Sequence, residues 1–266
     1  MTPDKARFQR IIRSYYKEHG RAMPWRRTRD PYRILVSEVM LQQTQVARVR
    51  AFYPRFIARF PDFASLARAK TAAVLRAWQG LGYNRRALAL QKLSRTVLEK
   101  YNGRLPRERA ALEALPGIGK ATAGSIRAFA WNEPEIFIET NIRRVFIHLF
   151  FPGRKKVTDE DVKRYIERTL PRGNMREWYW ALMDYGAMLG RGRRGVSNPN
   201  TKSAHYRKQP RFTGSSRELR GAILREALKK GSSERVAKDV AAERGIPVAR
   251  VRAATKKLIQ EGFIKK

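Results

Sequence analysis

Leu115-Pro116-Gly117-Ile118-Gly119-Lys120 lies between two segments of helical periodicity, Arg107–Leu115 and Lys120–Trp131. Glycine reaches backbone conformations denied to other residues, and Lys120 opens the second helix. Amides exposed at a helix start, with the helix dipole behind them, form a seat for a phosphate oxygen. A glycine turn between helices is common, so its meaning depends on the rest of the chain.

That chain has 266 residues, 58 basic and 23 acidic, for a formal net charge of +35, with three histidines and no cysteine. A surplus of this size repels itself unless a polyanion offsets it, and nucleic acid is the usual one. Without cysteine there are no disulfides, thiolate nucleophiles, thiolate zinc sites or cysteine-ligated iron–sulfur clusters. Three scattered histidines argue against a histidine metal site. The N-terminus has no apolar signal core and no apolar run approaches a membrane span of ~20 residues. The expectation is a soluble protein of the cytoplasm or nucleoid, a monomer without membrane contact.

Helical patterns cover residues 4–20, a long stretch from Asp30-Pro31 to Val49, and then Phe52–Arg59, Phe63–Arg68, Thr71–Trp78 and Asn84–Lys100. Beyond the hairpin come Asn141–Phe150, Thr158–Leu170 and Trp178–Leu189, with Glu135–Ile138 the nearest approach to a strand. The body is therefore all-α. Between Asp184 and Glu218 no acidic residue occurs. That glycine- and proline-punctuated stretch carries Arg191, Arg193 and Arg194, with Tyr206 and Phe212 among later bases. It reads as a looped segment that either tracks a phosphate backbone or merely links. Ser215–Lys229, Ser233–Arg244 and Pro247–Gln260 then form three short helices, and Gly262–Ile264 a short strand. That is the pattern of a winged helix, with Arg250 and Arg252 on its recognition helix. Residues 214–266 carry 14 basic and 6 acidic residues, net +8. A packing bundle is the alternative to DNA contact.

Two carboxylates flank the hairpin. Glu38 sits in the otherwise uncharged run Val36–Val46, where apolar neighbours can raise its pKa toward that of a neutral-pH acid. Glu139 follows Ile136-Phe137-Ile138 and precedes a helix start. By spacing alone, Glu139 reads first as a helix cap and Glu38 as a surface acid, with catalysis the alternative.

The hairpin matches the helix-hairpin-helix DNA-binding motif, and the run around Glu38 resembles the signature of MutY-like adenine DNA glycosylases. Pro24-Trp25-Arg26, Gly80-Leu81-Gly82-Tyr83, Thr122-Ala123-Gly124, Asn141–Val145 and Ala181–Met188 join it in family order across about residues 5–190. The resemblance implies two α-helical subdomains that hold duplex DNA with a damaged or mispaired base flipped between them. It makes Glu38 the acid that protonates the departing base and then positions water. Glu139 stands at an aspartate position that stabilises the cationic sugar. Trp25, Arg26 and Trp180 fall at the base pocket, Gln42, Gln43 and Gln45 at minor-groove and intercalating positions, and Tyr83 at the wedge beside the opposite base. Leu115, Gly117, Ile118, Gly119, Lys120 and Thr122 fall on the DNA-binding hairpin. The expected organisation is a glycosylase core at 1–190, a basic segment at 191–213 and a winged-helix-like domain at 214–266.

Departures narrow this. Glutamate for aspartate at Glu139 moves the carboxylate by ~1 Å, a displacement that can alter rate. The Schiff-base lysine of bifunctional relatives is replaced by Ala121, so hydrolysis without strong lyase activity is expected. The four cluster cysteines are missing, which leaves a cofactor-free protein, with a monovalent cation at the hairpin allowed. The 8-oxoguanine-recognition domain is replaced. Trp180 stands where a glutamine or glutamate faces the adenine, and an indole has one donor and no acceptor. Adenine leads; mispaired uracil or thymine, or a deaminated or alkylated purine, are alternatives. A DNA-binding protein without catalysis is the alternative from another class.

Overall fold

The apolar residues of Thr140–Phe150 recur at helical spacing, and Ile142, Val145, Phe146 and Phe150 are all buried. In the computed structural model, which describes residues 2–191, 197–231 and 234–264, this stripe packs against Met175–Gly190 and, through Phe8 and Ile12, against Lys5–His19. Phe8 meets Phe150 and Trp178 edge-on, at 5.0 and 5.6 Å between ring centroids, the geometry that ring quadrupoles favour.

In chain order the helices are α1 (Lys5–His19), α2 (Pro31–Leu41), α3 (Val46–Arg59), α4 (Phe63–Arg68), α5 (Thr71–Trp78), α6 (Arg85–Tyr101), α7 (Arg109–Glu113), α8 (Lys120–Trp131), α9 (Thr140–Phe150), α10 (Asp159–Thr169), α11 (Met175–Gly190), α12 (Ser216–Lys230), α13 (Glu234–Arg244) and α14 (Val248–Gln260). Short 3-10 turns occupy Pro24–Arg26 and Pro199–Lys202. Among the described residues no strand forms, and the body is all-α as expected.

The chain divides into two units. The first comprises Met1–Glu38, Pro106–Ala114 and Ile118–Lys208, and is built on α1 and α8–α11. The second comprises Val39–Leu105, Leu115–Gly117 and Gln209–Lys266. Trp78 fills its interior against Phe56, and α4 and α5 lie along α6. The three C-terminal helices pack on one another, and α12 packs on α5, where Arg76 donates to the Leu228 carbonyl (2.8 Å). Glu261 bridges Arg220 and Arg85.

Two expectations are corrected, the long second helix and the terminal strand. The helix predicted through residues 31–49 breaks after Leu41 and restarts at Val46, with Gln43 at φ +54°. The four polar residues Gln42–Gln45 have no apolar face to bury, so the chain turns there. Glu135–Ile138 has no strand partner among the described residues, in keeping with an all-α body, and Glu135 is ion-paired to Arg109 (2.8 Å) and Arg127. At the C-terminus Gly262–Ile264 is a turn, where Phe263 is buried beneath the Arg220 guanidinium. The C-terminal helices thus lack the expected wing among the described residues.

Residues 198–204 of the basic segment are tied to the first unit by hydrogen bonds. Val157 donates to the Lys202 carbonyl and Ala204 donates to that of Val157, both at 2.8 Å. Lys202 Nζ caps the Pro152 carbonyl (2.6 Å). Asn198 accepts from Arg144 (3.0 Å) and Asn200 donates to the Thr140 carbonyl (3.0 Å).

Candidate active site and nucleic-acid interface

Both carboxylates lie in the first unit. Glu38 retains partial solvent access yet is crowded by protein, and this desolvation raises its pKa to about 7. The charge of Glu139 pushes in the same direction, while the Ser125 hydroxyl and Arg26 oppose it. Ser125, buried on α8, places its Oγ 2.5 Å from Glu38 Oε2 and 3.0 Å from the Thr122 carbonyl oxygen. A hydroxyl has one proton and a carbonyl can only accept. Ser125 therefore shares its one proton between the Glu38 carboxylate and the Thr122 carbonyl when Glu38 is ionised, and accepts from the acid when Glu38 is protonated.

Glu139 takes the N-cap of α9. Its Oε1 accepts from the Asn141 and Ile142 amides (2.7 and 2.8 Å), and its Oε2 from the Asn141 side chain (3.1 Å). Burial raises its pKa; the two amides, Arg144 and Arg143 work against that. Capping and electrostatic coupling to Glu38 therefore belong to one side chain. Arg144 braces the assembly from behind, donating to Asn141 Oδ1 (2.8 Å) and to the Gly186 carbonyl (2.7 Å). Gly186 is required by proximity, since a Cβ there would lie 2.2 Å from the Asn141 carbonyl oxygen.

The three expected pocket residues share the first unit. Trp25 is buried in its 3-10 turn. Arg26 donates both terminal nitrogens to the buried Asp184 carboxylate (2.8 and 2.7 Å). Half-buried Trp180 stacks on Phe129 at 6.0 Å, between the guanidiniums of Arg26 and Arg176, each 5.4 Å from its ring.

The hairpin runs from α7 into α8. Gly117 has φ +83°, and a Cβ there would come within 2.9 Å of Ala89 Cβ. Gly119 differs from expectation: its φ of −103° suits any residue, and a Cβ would meet nothing within 4 Å. Leu115 and Ile118, expected at the DNA surface, are buried, so only their backbone can face a ligand; apolar side chains here anchor the turn. Lys120 is exposed and Thr122 half-buried.

In the second unit, Gln42 donates to the Gly117 carbonyl (3.3 Å), Gln43 is exposed, and exposed Gln45 starts α3. Tyr83 is exposed with φ +47°. Beneath it Arg86 donates to the carbonyls of Val39, Met40 and Gln42 (2.8, 2.8 and 2.6 Å) and of Gly82 (2.9 Å). One guanidinium thus joins the glutamine turn to the tyrosine turn, and burial lowers its pKa to about 10. On α14 Arg250 and Arg252 are exposed, Arg252 being ion-paired with Glu234. Arg191 ends α11, exposed; Arg193 and Arg194 lie outside the described residues. Ser125, Arg86 and Arg144 were not singled out from the sequence. Ser125 and Arg86 act across 87 and 42–47 residues, separations that carry no local signal, and only the Asn141–Val145 motif hinted at Arg144. The described residues contain no group of His, Cys, Asp or Glu able to hold a metal, and no helix long and apolar enough to cross a membrane.

Residues 36–172 match the model of the HhH-GPD superfamily base excision DNA repair proteins. The chain is 36% identical over 184 residues to the adenine DNA glycosylase of Buchnera aphidicola subsp. Baizongia pistaciae, covering 68% of this chain and about half (52%) of that protein. It is 34% identical over 230 residues to the adenine DNA glycosylase of Mycobacterium tuberculosis, covering 79% of this chain and 75% of the relative. A solved thermostable thymine-DNA glycosylase shares the fold at a TM-score of 0.62 and 28% identity, with 69% of this chain and 86% of that one aligned. The chain belongs to the HhH-GPD superfamily of base excision DNA repair proteins.

Proposed function

We propose that this chain is a monofunctional DNA glycosylase that binds duplex DNA as an intracellular monomer, flips a damaged or mispaired base, and hydrolyses its bond to deoxyribose. The observation that carries this reading is Glu38, raised by desolvation to a pKa of about 7 and hydrogen-bonded to Ser125, set against a Glu139 ringed by N–H donors. As the glycosidic bond breaks, its electron pair leaves with the base and positive charge grows on the sugar. Glu38 gives its proton to a base nitrogen, and anionic Glu139 stabilises the cation. Glu38, now a carboxylate, takes a proton from the water that adds to C1′ and is restored.

Gly119 supports DNA as the partner: the space before it is open at the start of α8, which leaves room for an approaching phosphate. Lys120 at the start of α8 then serves that phosphate, and neither it nor Ala121 forms a Schiff base.

Family likeness makes adenine the leading target. The clamped Trp180 favours a second reading, a mispaired uracil or thymine, because a wall with one donor cannot match adenine's edge as an amide or carboxyl would. Duplexes with single defined lesions, scored for strand breaks after alkali, decide between them; cutting confined to uracil or thymine refutes adenine. Glu38→Gln should abolish release while leaving duplex affinity intact, and borohydride should trap no adduct. A wild type inert on every duplex would leave a DNA-binding protein without catalysis.

A further inference from the structure

Among the described residues only three large apolar side chains are exposed: Tyr83 (37%), Tyr206 (46%) and Phe212 (60%). Singly, such residues need no explanation. Tyr83 and Phe212, however, share one guanidinium. Arg217, in the first turn of α12, donates Nη1 to the Tyr83 hydroxyl (3.1 Å) and Nη2 to the Pro210 carbonyl (2.8 Å), with Cζ 6.0 Å from the Phe212 ring. The Gln209 side chain donates to the same hydroxyl. All these residues belong to the second unit, and α12 is fastened there by the Arg76–Leu228 bond and the Arg220–Glu261–Arg85 bridge. Tyr83 itself is held in the left-handed region, a cost that persists where surroundings impose it and often marks function. A strained, exposed tyrosine thus meets a fixed guanidinium beside an exposed phenyl ring, in a stretch with no acidic residue between Asp184 and Glu218.

We propose that Arg217, with Phe212 as a stacking face, reads the base left in the duplex opposite the flipped nucleotide, beside the Tyr83 wedge. This rests on the base-flipping reading above. Arginine offers donors in a planar fork and no acceptor, so it selects a base edge with two adjacent acceptors. Guanine presents O6 and N7 on its major-groove edge, and cytosine N3 and O2 on its pairing edge; adenine and thymine have no such pair. The bonds to the Tyr83 hydroxyl and the Pro210 carbonyl hold the fork in place until a base edge replaces them.

The test is binding to duplexes carrying a tetrahydrofuran abasic analogue opposite each of the four bases, which needs no base release. Wild type should bind the guanine or the cytosine duplex about tenfold tighter than the adenine and thymine ones, the range for one bidentate contact. Loss of the preference with 7-deazaguanine assigns the guanine edge, and a preference for cytosine assigns the other. Arg217→Ala, and equally Arg217→Lys, which keeps the charge without the fork, should level the four affinities. Phe212→Leu should weaken all four alike. A wild type indifferent to the opposite base, or a preference that survives in both Arg217 variants, overturns the proposal. Preference without base release would instead sink the catalytic reading and leave this one standing.

Discussion

Ser125 has one proton and two oxygens within reach, so its bond to Glu38 changes with the protonation state of that carboxyl. The anion of Glu38 would receive a charge-assisted bond from Ser125, whereas the neutral acid makes an ordinary one, so removing the hydroxyl penalises the anion more. Ser125→Ala should therefore raise the Glu38 pKa above its value of about 7, by up to about one unit. The working form is the protonated one, so release falls as pH rises through that value. The alkaline limb of the rate–pH profile should move upward in the variant, with the acid limb unmoved. A downward shift would show that Ser125 stabilises the neutral acid instead. Glu139 illustrates a different economy: the bonds that cap α9 are also those that oppose the rise burial imposes on its pKa, and Glu38 feels its charge.

At the scale of elements, the two hairpin glycines separate structure from binding. Gly117 is needed by the fold, for its positive φ and for the approach of Ala89. Gly117→Ala should cost roughly 1–3 kcal/mol, read as a lowered Tm. Gly119 is needed by neither criterion. Gly119→Ala should leave stability within about 0.5 kcal/mol of wild type while weakening duplex binding; equal binding by the two proteins would remove the argument for a phosphate seat. The break between α2 and α3 has a related logic. It places Gln42–Gln45 in a turn whose carbonyls Arg86 gathers, and thereby makes the glutamines surface groups rather than one more helical face.

For the whole molecule, the net charge of +35 predicts binding that weakens steeply with salt. Cutting away residues 214–266 is a blunt test, because α12 packs on α5 and holds Arg76. Charge removal on α14 is cleaner. Arg252 already spends its charge on Glu234, whereas Arg250, Lys256 and Lys257 are exposed. Changing those three to glutamine should reduce the slope of log affinity against log salt by about three if each meets a phosphate. An unchanged slope would assign the C-terminal helices to packing.

Much was legible in the residues themselves. The helices follow from apolar residues at helical spacing and from local caps such as Asp62 and Thr158, interactions that reach only three or four positions along the chain. The hairpin, the two carboxylates and the absence of cluster ligands are equally local or compositional. Folding in three dimensions decided the rest: the Glu38–Ser125 contact, the guanidinium clamp on Trp180, the tie between Arg217 and Tyr83, and the turn at Gln42–Gln45 that Arg86 holds. Each joins residues distant along the chain, or depends on a partner that is, and desolvation and hydrogen bonding act through space. A sequence can name the groups that carry the chemistry, but only packing determines which of them share a proton.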